Sequence, residues 1–292
     1  MPLLLHWLVK KLPAAKRQNL KRMVEAGRVL VNGVAARKLK QEIAETDEIT
    51  LIERGTRPTP ALAPLLLIHE DDDVIVVNKP SGLLTSTVPD ERRPTAIRIL
   101  RNYAGQHHIT GRVGVIHRLD REVSGLLVFS KNHETFAALK AQFVKHTVHR
   151  VYTAIVHGKP DPAAGKVDNF LVEYADGTAH VTKDRKKGEN AITEYKVIRS
   201  EPGRSWVRIT LHTGKKHQIR CHMASINCPI LGDSVYGNRD GVERLMLAAT
   251  ELEFDHPRTG KRMCFTIEPP EEFGKIMKEL PTKELPTKDT KH

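Results

Sequence analysis

Apolar and polar positions change period several times along the chain, and each change marks an element. Leu4, Leu5, Leu8, Val9 and Leu12 recur at helical spacing until Pro13, which predicts a first short helix. Leu20, Met23 and Val24 repeat that spacing between Ala15 and Ala26, and Gly27 follows as a C-terminal cap. The period then shortens. Val29-Leu30-Val31, the turn pair Asn32-Gly33 and Val34 predict a hairpin, and residues 47–51 would close a small sheet. Residues 1–55 are therefore expected to form a small α/β module. The Pro-, Thr- and Ala-rich residues 56–64 predict an extended linker.

Beyond Leu65 the signal is mainly β. Residues 74–77 form an apolar strand that ends in Asn78-Lys79-Pro80 and a turn at Gly82. A short helix is expected over 95–104. Val113, Val115 and Ile116 lead into His117-Arg118-Leu119-Asp120, and a second apolar run, 126–129, leaves it. Asn132 suits the N-cap of a helix that turns Phe136, Leu139 and Phe143 inward. Residues 151–156, 191–198 and 206–212 alternate as strands, and a turn at Thr213-Gly214 precedes a short helix over 218–222. Many strands and few helices predict an α+β domain over 65–270, with a mixed, largely antiparallel central sheet and flanking helices. Residues 271–292 carry a repeated KELPT and nearly balanced charge, and are expected to form a disordered tail.

Charge then narrows the partners. A net charge of +12 points to a polyanion, nucleic acid before membrane. No run approaches the roughly 20 apolar residues that span a bilayer. The N-terminal basic residues follow the apolar run, the reverse of a signal peptide. The three cysteines, Cys221, Cys228 and Cys264, make no disulfide framework, which suits a reducing cytoplasm.

Asp120 ends a charged turn between two strands, where a scaffold can present a carboxylate to a ligand. Arg118 and Arg121 flank it and are expected to hold it ionised, ready to act as nucleophile or base. The same residue types also fit a turn cap paired with an arginine. His217, Cys221, His222 and Cys228 are potential metal ligands, but their spacing matches neither CxxC nor HxxxH, so no metal is expected. No glycine-rich phosphate loop is present, which argues against a nucleotide cofactor.

The stretch HRLDREVSGLLVFSKN, residues 117–132, resembles the catalytic segment of the RluA-type pseudouridine synthases: HRLD, two variable residues, then Thr-Ser-Gly-Leu-Leu. Val123 stands at the Thr position. NKPSG at 78–82 resembles the family's opening motif, with Thr85-Ser86-Thr87 where a His is common. RVYTAIVHG at 150–158, GKKHQIRCH at 214–222, PILGDSVYG at 229–237 and FDHPRTG at 254–260 resemble further motifs, in the family's order. The two helices and the VLVNG hairpin resemble the alpha-L RNA-binding module first known from a ribosomal protein.

The resemblance implies the pseudouridine synthase fold and isomerisation of uridines in structured RNA, with Asp120 catalytic and no cofactor. It places Tyr152 beside a flipped base, Ile219 against the base, and Arg220 paired with Asp120; Arg118 is a further substrate contact. In the N-terminal module, Lys16, Arg17, Lys21, Arg22, Arg28 and Arg37 would meet RNA phosphates. Ribosomal RNA is favoured over transfer RNA, and a monomer is expected. The alternative is a non-catalytic RNA-binding or ribosome-assembly factor on the same scaffold.

Overall fold

The computed structural model describes residues 3–12, 15, 17–25, 29–31, 34–36, 38–44, 47, 49–51, 62–86, 93–106, 111–238 and 240–278. The chain forms two compact units, Met1–Ala61 and Leu62–His292.

In the smaller unit, helices α1 (Leu4–Lys11) and α2 (Arg17–Glu25) precede strands β1 (Val29–Val31), β2 (Val34–Ala35) and β3 (Ile49–Leu51). The strands pair antiparallel in the order β2-β1-β3. Leu4, Leu8, Leu20, Val24 and Val29 close its core with Ala36 and Ile43. Val9, placed on the apolar face by its spacing, is instead 49% exposed: the buried stripe of so short a helix is no wider than Leu4 and Leu8. Pro13, the Asn32-Gly33 turn and most of the expected linker lie outside the described residues. Leu62 and Leu65 are already buried in the larger unit's core, so that unit begins three residues before the expected boundary.

The larger unit opens with β4 (Leu66–Glu70), β5 (Val74–Lys79), α3 (Ala96–Gln106), β6 (Gly114–Val115), β7 (Ser124–Ser130) and α4 (His133–Val144). It continues through β8 (His149–His157), β9 (Ala164–Glu173), β10 (Ala179–Thr182), β11 (Glu189–Glu201) and β12 (Arg204–Leu211). The last elements are α5 (Gln218–Ser225), β13 (Leu247–Asp255), β14 (Arg262–Thr266) and α6 (Glu271–Lys278). Eleven strands make one sheet, with the main path β10-β9-β11-β12-β8-β13-β7-β5-β4, β14 on β13 and β6 on β7. Among the described strands only β13 and β7 run parallel, so the architecture is the mixed, largely antiparallel α+β type expected.

Alternation along β5 and β7 explains the two continuous apolar runs. Ile75, Val77, Leu127 and Phe129 face a core shared with Ile97 and Leu100 of α3. Val74, Val76, Leu126 and Val128 face the other, with Leu139 of α4 and Phe254 of β13. A strand covered on both faces needs no polar side. Asn132 caps α4 as expected, its side chain accepting from the Thr135 N–H at 2.8 Å.

The expected tail starts later than Glu271. Phe273 and Met277 of α6 are buried, and Arg204 and Arg199 donate to the carbonyls of Ile276 and Met277. Phe273, Ile276 and Met277 stand at i, i+3 and i+4, an amphipathic signature that the adjoining repeat obscures. Residues 279–292 lie outside the described set.

Register across the sheet aligns Gly125 of β7, Ala249 of β13, Tyr152 of β8 and Ile209 of β12. Gly125 has φ +122°, and a Cβ there would meet the Ala249 carbonyl oxygen at 2.2 Å. The glycine is what lets β13 approach the strand that follows Asp120. Gly125→Ala is expected to cost more than about 2 kcal/mol, read as a lower urea midpoint at unchanged slope. An unchanged midpoint would show that the two strands can part without cost.

Candidate active site

Asp120 is held by the segment that follows β5. Lys79 is fully buried, and its ammonium donates to the carbonyls of Pro80 (2.9 Å), Leu83 (2.7 Å) and Arg121 (3.1 Å). Burial lowers its pKa to about 8, against the opposing charges of Asp120 and Glu122. The Gly82 N–H donates to the Arg121 carbonyl, and the Ser81 hydroxyl to that of Glu122. Thr85, where the resemblance expects a nearby His, donates to the Leu119 carbonyl and accepts from the Leu119 N–H. The Val123 N–H closes the turn on the Asp120 carbonyl. Six bonds to the backbone of residues 119–122 thus set the turn that projects the Asp120 side chain.

The surroundings of that carboxylate differ from the expectation in two ways. Arg118 is exposed, and Arg121 gives its guanidinium to Glu122 at 2.8 Å; neither meets Asp120. The cations that do are His217, Nε2 to Oδ2 3.9 Å, and Arg220, Nη1 to Oδ2 3.8 Å. Both distances exceed a hydrogen bond. Burial raises the Asp120 pKa above 3.8, and the charges of His217 and Arg220 offset this only in part.

Arg220, expected to pair with Asp120, faces it as an ion pair at 3.8 Å and gives its fork to Asp233: Nε to Oδ2 2.8 Å and Nη2 to Oδ1 2.7 Å. Asp233 is buried, and its Oδ1 also accepts from the N–H groups of Val235 and Tyr236. Burial works against its charge, but the bonds and charge of Arg220 prevail and hold it below its ordinary value. Asp233 thus locks the guanidinium whose remaining edge faces Asp120.

His217 precedes α5 in the left-handed region, φ 53°. The Tyr236 hydroxyl accepts from the Ala179 N–H and lies 2.8 Å from His217 Nδ1. Burial lowers the His217 pKa, and the charge of Asp120 opposes that shift. The Arg220 guanidinium lies over the Tyr236 ring at 5.1 Å. Sequence reasoning missed His217, Asp233 and Tyr236 as partners of the site. Their signal was present, in HQIR and GDSVYG, but only the chain path brings the two together.

These groups open on a cleft of about 1210 Å³. Tyr152 and Ile219, both buried, form its apolar wall beside Leu247. The Tyr152 hydroxyl has no hydrogen-bond partner among the described residues, and burial raises its pKa. His117 lies in the cleft wall but not as a base. Burial lowers its pKa to about 3, its Nε2 accepts from the Val128 N–H, and its ring stacks on Phe143 at 4.7 Å.

The four potential zinc ligands do not converge in their bonding. His222 bonds Thr193 and Asn169, with its pKa lowered to about 4 by burial, and Cys221 donates to the Ala179 carbonyl. Cys228 packs in the main core. Elsewhere Asp71, Asp73 and His256 bring ligand atoms within 4.8 Å of one another. Those carboxylates are already engaged: Asp71 by His69 and its own turn, Asp73 by Arg258, Asn132 and Thr135.

Of the expected RNA contacts in the smaller unit, Arg17 and Lys21 are exposed on α2, beside Lys38 and Lys40 around a surface pocket of about 580 Å³. Lys16, Arg28 and Arg37 lie outside the described residues, as does the side chain of Arg22.

Residues 73–225 match the family described as RNA pseudouridylate synthase, and residues 4–49 match the S4 domain. An uncharacterised RNA pseudouridine synthase of Aquifex aeolicus is 32% identical over 288 residues, covering 92% of this chain and 91% of that protein. The ribosomal large subunit pseudouridine synthase D of Zymomonas mobilis is 33% identical over 285 residues, covering 90% and 89%. Among solved structures, human RNA pseudouridylate synthase domain containing 4 superposes with a TM-score of 0.61 at 25% identity, over 72% of this chain and 90% of that one.

Proposed function

The chain belongs to the RNA pseudouridine synthase family, and from that premise we propose that it isomerises a specific uridine of ribosomal RNA with Asp120 as its catalytic carboxylate. The reaction breaks the N1–C1′ bond of the uridine, turns the uracil and forms C5–C1′. The C5 hydrogen leaves as a proton and N1 takes one up. No oxidation state changes and nothing is hydrolysed, so the reading calls for no metal or nucleotide cofactor. It takes the chain as a cytoplasmic monomer.

The observation that carries this reading is the state of Asp120. Each other carboxylate on the described cleft wall has a basic partner: Glu122 with Arg121, Glu173 with Lys216, Glu189 with Lys215. Asp120 alone keeps both oxygens outside hydrogen-bond reach of its cations. It is partly buried and unquenched, as a nucleophile or proton acceptor must be. The target nucleotide leaves its stack to reach it. Tyr152 stacks on the uracil, Ile219 packs its other side, and Arg220 and His217 draw off part of the Asp120 charge. Arg118 meets the RNA at the rim. Lys16, Arg17, Lys21, Arg22, Arg28 and Arg37 add sequence-independent affinity through phosphates.

Ribosomal RNA is the preferred substrate because relatives spanning nearly the whole chain carry that specificity in their names, and an S4 match accompanies the catalytic one. Tritium release from C5-labelled, unmodified transcripts tests this directly. Large-subunit ribosomal RNA is expected to release label and transfer RNA is not. Release from transfer RNA alone would move the target. Release from neither, with RNA still bound, would sink the reading.

A further inference from the structure

Charge pairing inside the cleft leaves one cation unexplained. Among the described residues, Arg118, Lys140 and Arg150 line the cleft and form no ion pair with a carboxylate. Arg118 and Lys140 are exposed, where water can solvate them. Arg150 is only 9% exposed.

Its guanidinium is poorly satisfied. Nε has no hydrogen-bond partner, and Nη2 reaches the carbonyls of Leu211 and Thr213 only at 3.4 and 3.3 Å. The guanidinium lies over the Phe143 ring at 5.4 Å, and His117 stacks on the same ring. Gly214 leaves room for it: a Cβ there would stand 2.8 Å from Nη1. Burial lowers the pKa of Arg150, and no carboxylate offsets that cost. A buried guanidinium without a counter-charge is destabilising, so a fold that keeps one beside a ligand cleft gains when an anion arrives.

We infer that Arg150 is a phosphate-binding residue, its guanidinium taking a phosphodiester that flanks the target uridine inside the cleft. The inference rests on the RNA-isomerase reading above. Arg150 lies on β8 two residues before Tyr152, so phosphate and uracil would be gripped by one rigid element. The guanidinium fork suits two phosphate oxygens at once, and Lys140 on the neighbouring wall adds charge without a second buried cost.

The test uses a short unmodified target RNA and two variants of it, with a neutral methylphosphonate in place of the phosphate 5′ or 3′ to the target uridine. Wild-type protein is expected to bind one of the two about 10-fold more weakly than the parent RNA. Arg150→Gln is expected to bind the parent RNA as weakly and to ignore that methylphosphonate. Its slope of log affinity against log salt is expected to fall by about 0.7, the contribution of one single-strand phosphate. Arg150→Lys keeps the cation but loses the fork, and is expected to fall between the two, which decides the matter if the glutamine variant does not fold.

Wild-type indifference to both methylphosphonates would overturn the assignment. So would full sensitivity in Arg150→Gln, or wild-type affinity and sensitivity in Arg150→Lys. Tritium release by wild type from the parent RNA separates these failures from failure of the isomerase reading itself.

Discussion

Asp120→Asn is expected to cut tritium release by about 10⁴-fold or more while leaving the protein as stable as wild type, or more stable. The activity half follows from the chemistry: an amide neither adds to a carbon centre nor takes a proton at neutral pH. The stability half follows from the environment. Burial raises the Asp120 pKa in the folded state, and His217 and Arg220, both beyond hydrogen-bond reach, do not cancel the effect. Between the ordinary value of 3.8 and the raised one, the folded protein holds more protons at this group than the unfolded chain. Stability therefore falls as pH rises through that window, and near pH 7 the ionised carboxylate is a cost. Asparagine removes the charge at nearly constant shape. A gain of about 0.5–2 kcal/mol would raise Tm by a few degrees in a domain of this size. Residual activity near wild type would remove Asp120 from the mechanism. A fall of many degrees in Tm would mean that its charge is structural.

Asp233→Ala is expected to lower stability by about 3–5 kcal/mol, the cost of breaking a buried ion pair from one side. Arg220 would lose both short bonds in a site where water cannot replace them, and the N–H groups of Val235 and Tyr236 would lose their shared acceptor. The sign with pH is opposite to that of Asp120. The folded-state pKa of Asp233 is depressed, so its contribution is complete above 3.8 and is lost as pH falls through the lower folded value. The loss is thus full at pH 7 and shrinks in acid. A double variant, Asp233→Ala with Arg220→Met, is expected to recover much of the deficit, because no charge is then buried alone. Urea midpoints for the three variants check this; a cost below about 1 kcal/mol for Asp233→Ala would mean that Arg220 finds another partner. Asp120 is the acceptor it would reach for first.

The elements were largely legible in the chain because their signals are local. Helical spacing marked α2 and α4, Asn132 announced its cap, and the strands around Asp120 showed as apolar runs. The boundaries that slipped have particular causes. Leu62 reads as linker because its Pro- and Ala-rich neighbours dominate the composition, although it packs into the core. Phe273 and Met277 read as tail because a charged repeat follows them.

At the site, the division between sequence and structure has a physical basis. Residue types and motif order determined the family, the α+β class and the RNA partner, and they single out the carboxylate we propose as catalytic, since each depends on which groups the chain carries. Which group neutralises which was decided only by the fold. Flanking arginines in sequence proved irrelevant to Asp120: Arg118 is exposed, and Arg121 found Glu122 instead. The acceptor of the Arg220 fork lies thirteen positions on, and the basic groups that face Asp120 come from the start of α5 and the residue before it, about a hundred positions away. Coulomb energy and desolvation depend on distance and burial in space, and neither is written in residue order.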